Sequence, residues 1–188
     1  MEAVMSRERN KIHPHKFTLW VAIGSITMMF AGLTSAYIVK RNQANWLTFD
    51  LPTIFWYSTA VMIISSFTLF LARRSFREKE MYRYRQLLTV TMLLGILFVA
   101  LQAFGFSQLW NHGITLTKNV SYSFLYIIVG LHAVHVIGGI IALLIMFFKA
   151  FSTRQKIYSS VPVDMMSTYW NFVDILWIYL LLFLMMIR

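Results

Sequence analysis

Five apolar blocks, each about 20 residues or longer, constrain this chain more than any other feature of it. They run over about 17–39, 53–72, 87–110, 122–148 and 165–187. A block of that length crosses the hydrocarbon of a bilayer as a helix, at a rise of about 1.5 Å per residue. Lipid offers the backbone no hydrogen-bond partner, so an open chain within it satisfies its N–H and C=O groups only by coiling into helices. The expected fold is therefore all-α and integral to the membrane: a five-transmembrane-helix bundle. A basic head over residues 1–16 precedes a single membrane domain over 17–188. The first block follows the polar head directly and is too long for the apolar core of a secretory signal, so it reads as a span. The linkers are short, which makes consecutive helices antiparallel neighbours. The only prolines, Pro14, Pro52 and Pro162, lie outside the span centres, so no span is expected to break.

Charge is the second constraint. The chain is 59% hydrophobic and only 13% charged, with a net charge of +10 and a mean hydropathy of +0.64. A surplus of that size on a soluble face would suggest nucleic acid. Here the basic residues flank apolar blocks, which points to lipid headgroups and topology, and no nucleic acid is expected. The head and the second and fourth linkers lie on one side and carry thirteen Lys and Arg, against four on the other. The positive-inside rule then predicts a cytoplasmic N-terminus and a periplasmic C-terminus, in a bacterial inner (cytoplasmic) membrane. Arg73, Arg74, Arg83 and Arg85 flank the entries to the second and third spans and are the lipid headgroup candidates, since a guanidinium can bind phosphate bidentately. Trp46, Trp56, Trp110 and Tyr122 sit near span ends as expected interfacial anchors. The chain has no cysteine, which excludes disulfides, thiolate metal sites and haem attached through Cys-x-x-Cys-His.

Few polar residues enter the spans. Gln102 lies well inside the third, His132 and His135 stand one turn apart in the fourth, and Asn171 and Asp174 one turn apart in the fifth. A carboxylate in hydrocarbon costs about 2.5–3.5 kcal/mol on insertion scales, so Asp174 demands a reason. Two imidazoles at i and i+3 on one helix cannot clamp both faces of a haem. A metal would need further ligands at the same depth, whereas His13, His15 and His112 lie elsewhere. Interhelical hydrogen bonding is the expected role of these groups, with no catalytic, cofactor or metal site. Counting helix rise from the inner edge puts Asp174, Ser25 and Thr27 roughly 12–15 Å deep, and Gln102, His132 and His135 roughly 20–24 Å deep. The expectation is two layers: Gln102 joined to one or both histidines, and Asp174 held near Asn171 and the first-helix hydroxyls. The small-residue pairs Ala31/Ser35, Gly32/Ala36 and Gly138/Ala142 offer close-packing faces.

Four segments in order then carry a resemblance. They are "LLGILFVALQ" (93–102), "GITLTKNVSYS" (113–123), "GLHAVHVIGG" (130–139) and "YWNFVDILWIYL" (169–180). Together the chain resembles subunit III of the haem-copper oxygen reductases, the cytochrome c oxidase subunit III family, in its shorter five-helix form. The resemblance implies a non-catalytic subunit of a respiratory terminal oxidase. The haems and copper would sit in subunits I and II, with no cofactor in this chain. Its partners would be subunit I directly, subunit II and other oxidase subunits, and phospholipids; it would support proton uptake and protect the active site during turnover. The sequence departs from the family at three titratable places, which here hold Ser25, Gly105 and Asn171. Fewer titratable groups favour a structural over a proton-handling role. An accessory subunit of a nitric oxide reductase is an alternative. A small transporter is another, of an unrelated class, though no internal repeat or broken helix supports it.

Overall fold

A computed structural model describes residues 14–42, 52–111, 113–115, 118–151 and 160–187. Within them the chain forms five helices: α1 (Pro14–Arg41), α2 (Ile54–Arg77), α3 (Met81–Asn111), α4 (Val120–Phe151) and α5 (Val161–Met186). All five are long and apolar enough to cross a membrane. Most begin or end a few residues beyond the apolar blocks, because a helix keeps its ladder of hydrogen bonds after its side chains turn polar. The extensions carry charges and interfacial groups: Lys40 and Arg41 close α1, Arg74 and Arg77 close α2, and Asp164 opens α5. Most of the basic head (residues 1–13, with His13), Trp46 and His112 lie outside the described residues.

α2 and α3 form a closely packed antiparallel hairpin. Its turn is tight: Lys79 takes a left-handed φ of 63°, and its N–H and that of Glu80 return to the carbonyls of Phe76 and Ser75. This is the usual way of closing a helix C-terminus, with a lysine where glycine is more common. α5 is the most enclosed helix and packs against α1, α2 and α4. Among the described residues α1 touches only α4 and α5. Its buried side chains among the described residues, Phe30, Thr34 and Tyr37, all lie in its C-terminal half. From Lys16 to Ser25 only Leu19 and Ile23 are even partly covered.

Two tryptophans of α5 organise the centre. Trp170 is fully buried between Gly95 of α3 and Gly139 of α4. A Cβ added at Gly95 would stand 2.9 Å from the indole, and one at Gly139 3.0 Å. These two glycines are the slot into which the ring fits. Two turns further along α5, Trp177 packs edge-on to Phe98 at 5.3 Å and tilted to Phe55 at 6.0 Å.

Candidate functional site

The polar interior is a seam running along α2. Trp170 Nε1 donates to Ser65 Oγ at 3.0 Å. Trp177 Nε1 donates to Thr59 Oγ1 at 2.9 Å. Gln102 Nε2 donates to Ser58 Oγ at 3.0 Å, and Ser66 Oγ donates to Asn171 Oδ1 at 3.1 Å. Thr68 and Thr91 share a hydrogen bond of 2.9 Å between α2 and α3. Five hydroxyls of one helix thus tie α3 and α5 to it. Ser58 and Thr59 also donate to the Phe55 carbonyl of their own helix, so these two hydroxyls use both their donor and a lone pair. Sequence reasoning did not single out any of these hydroxyls, nor Trp170 or Trp177. The sequence signal was a helix unusually rich in Ser and Thr facing two buried indoles.

The histidines do not join Gln102, contrary to the expected deeper layer. His132 is fully buried and lies stacked on Trp177, with centroids 5.0 Å apart and planes at 26°. Phe98 and Phe30 close its edges. Neither ring nitrogen has a hydrogen-bond partner among the described residues. His132 therefore acts as a flat packing surface. His135 Nδ1 lies 2.8 Å from the Leu131 carbonyl of its own helix and donates to it; the interhelical hydrogen bond here uses its backbone carbonyl, which accepts from Tyr169 Oη at 3.0 Å. The physical reason is helix rotation: α4 turns His132 towards the aromatic layer, while α3 turns Gln102 towards α2.

The expected shallow layer does not form either. Ser25 and Thr27 are exposed and bond back to the carbonyls of Val21 and Ile23, and Asn171 is engaged by Ser66. Asp174 is only 5% exposed, and neither carboxylate oxygen has a hydrogen-bond partner among the described residues. The tie between α1 and α5 falls elsewhere, at Thr34 and Tyr179, whose hydroxyls lie 3.2 Å apart.

The four headgroup candidates separate. Arg73 pairs with Asp164 of α5, joined there by Arg77 at 3.1 Å. Arg85 lies over the Phe151 ring at 5.2 Å. Arg74 and Arg83 remain outward, in exposed pairs with Glu78 and Glu80. Trp56 is exposed near the start of α2 and Trp110 near the end of α3, and Tyr122 is half-buried near the start of α4. Beside the N-terminal half of α1, a groove of about 800 Å³ opens against α4 and α5. Gly138, Ala142, Met165 and Met166 line it, with Tyr169 and Lys149 among its polar groups. Among the described residues no three His, Asp or Glu side chains gather as a metal site.

The departures from the family pattern acquire a structural account. Gly105 lies against the start of α2, where an added Cβ would stand 2.9 Å from Ile54, so a longer side chain would push the hairpin apart.

A family model described as cytochrome c oxidase subunit III matches residues 16–187. Among curated proteins, the chain is 30% identical to a probable cytochrome c oxidase subunit 3 of Nocardia farcinica, covering 89% of this chain and 88% of that one. It is 29% identical to a probable cytochrome c oxidase subunit 3 of Mycobacterium leprae, over 99% and 95% of the two chains. With the cytochrome c oxidase subunit 3 of Bacillus subtilis the identity is 25%, over 86% and 80%. The family match spans all five helices, and the chain belongs to the cytochrome c oxidase subunit III family.

Proposed function

We propose that this chain serves as the non-catalytic subunit III of a respiratory haem-copper terminal oxidase in a bacterial inner membrane. It packs beside subunit I, within reach of subunit II and other subunits, and is orientated with its N-terminus in the cytoplasm. Haems and copper belong to those partners. Its own contribution is mechanical: a stable, lipid-holding flank for the catalytic subunit. Neither a nitric oxide reductase accessory role nor a transporter is favoured by the family match.

The observation that carries the structural role is the fate of the three departure positions. Ser25 is spent on its own helix, Gly105 is packed against Ile54, and Asn171 is bonded to Ser66. A proton path needs titratable groups in succession, and each of these places holds a group that cannot titrate. The apolar groove beside α1, with Lys149 in its lining, supports the lipid-holding part of the reading, since a long cationic side chain can reach headgroup phosphate while its stem lies on apolar surface.

Native purification in mild detergent tests this. Every co-purifying chain is identified and the haem spectrum recorded. A haem-copper catalytic subunit should accompany the chain. Recovery of the chain alone, or with the catalytic subunit of a nitric oxide reductase, would overturn the reading.

A further inference from the structure

The inner end of the α2–α3 hairpin holds a second pocket, of about 880 Å³, at a distance from the polar seam. Arg74, Glu78, Arg83 and Gln86 form its polar rim, and Leu71 and Leu87 its apolar walls. We infer that this pocket seats the phosphate of one anionic phospholipid, with the acyl chains against the hairpin's apolar walls. The inference rests on the reading of the chain as a lipid-embedded subunit whose basic rim meets headgroups.

Three observations support it. The first is the sorting of the arginines: Arg73 and Arg77 are drawn to Asp164 and Arg85 to Phe151, while Arg74 and Arg83 alone line this pocket. Their present partners are exposed acids on the same hairpin, in i,i+4 and i,i+3 pairs with guanidinium side chains 69% exposed. Exposed pairs are weak, at about 0–1 kcal/mol, so either guanidinium can turn to a phosphate. The second is charge. The two arginines pair with Glu78 and Glu80, so the surplus of one positive charge that these four residues and Lys79 carry together is that of Lys79 in the turn, and it suits an anionic headgroup better than a zwitterionic one. The third is the polarity gradient. The lining also includes Val90, seven residues beyond Arg83 and so about 10 Å further into the membrane. A ligand polar at one end and apolar at the other matches that axis, whereas a free phosphate would use only the rim. The turn that carries both arginines is pinned by its backbone bonds and by Phe76 against Tyr84 at 5.1 Å, so the rim is formed before any ligand arrives.

The test uses the assembled oxidase exchanged into phosphatidylcholine-containing micelles and titrated with phosphatidylglycerol, with bound lipids counted by native mass spectrometry. The wild type should hold a phosphatidylglycerol that Arg74→Gln/Arg83→Gln loses, each arginine contributing about fivefold in affinity. Gln86→Glu disturbs neither ion pair and adds a carboxylate to the rim; it should weaken the same lipid and keeps the test decisive if the double variant fails to assemble. Lys40→Gln/Arg41→Gln, at the other membrane face, should bind as the wild type does. Unchanged binding in the Arg74/Arg83 and Gln86 variants would overturn the site while leaving the lipid-embedded reading intact. Displacement of the lipid by excess inorganic phosphate would also overturn it, assigning the pocket to a free anion. A wild-type complex that holds no phosphatidylglycerol at all would defeat the site and the broader lipid-holding reading together.

Discussion

Replacing Asp174 by leucine should leave the subunit in its complex, and the reason is quantitative. Asp174 is buried and neither oxygen meets a donor among the described residues. Removing the side chain therefore breaks no interhelical bond. A buried polar group left without a partner costs about 1–3 kcal/mol, and an aspartate at mid-span costs about 2.5–3.5 kcal/mol on insertion scales. Leucine removes both. It also adds volume to a packed interior, and overpacking takes back about 1–3 kcal/mol. The net is a gain of about 0.5–5.5 kcal/mol, so thermal stability of the purified oxidase should be at or above that of wild type. Asp174→Asn, nearly the same shape without a titratable group, should keep turnover and proton uptake. The assay is subunit retention against detergent concentration, combined with oxygen consumption and proton uptake in reconstituted vesicles. If Asp174→Leu sheds the chain, an interaction of the carboxylate outside the described residues holds it. If Asp174→Asn slows proton uptake in a complex that stays assembled, the carboxylate carries protons and the structural reading is wrong.

Gly139→Val or Gly95→Val should expel the Trp170 ring from its slot, because even a Cβ stands about 3 Å from the indole. A loss of several kcal/mol, read as failure to assemble or a sharply lowered melting temperature, is expected; normal assembly would refute the slot. Trp177→Phe keeps most of the packing but loses the bond to Thr59. It should destabilise by about 0.6 kcal/mol, the average for such bonds in membranes, as read by thermal unfolding of the complex. Asp164→Asn releases Arg73 and Arg77 together and should destabilise by about 1.5–3 kcal/mol, less at high salt, checked by melting at two ionic strengths. The purified single chain should bind neither haem nor copper at stoichiometry, as measured by its absorption spectrum and metal analysis.

The number, type and order of the helices were legible in the sequence because length and hydropathy alone decide whether a segment spans. The polar contacts were not. Depth along the membrane follows from counting residues, but a contact also needs the rotation of each helix about its axis. Gln102, His132 and His135 do lie at similar counted depths, yet Gln102 faces Ser58 and His132 faces Trp177. The hydroxyls of α2 carry no such signal for a related reason: a Ser or Thr in a span can always bond its own helix, so its presence announces no partner. Ser25 and Thr27 do only that, whereas Ser65 and Ser66 reach across to α5. Gly95 and Gly139 became meaningful only once Trp170 was seen between them.

The uneven seating of α1 has a mechanical consequence. Its fixed points are Phe30 against the two histidines, Thr34 at Tyr179, and Tyr37 between Phe124 and Phe183. From Phe30 back to Lys16 the helix is an arm about 21 Å long with little behind it. It is a lever pivoted near mid-membrane. A swing of about 10° would carry its inner tip about 4 Å, enough to widen or shut the groove beside α4 and α5 without breaking one bond in the seam. Whatever rests against that arm, lipid or neighbouring subunit, sets its angle, and a spin label on Thr18 paired with one on Met165 would read that angle as a distance.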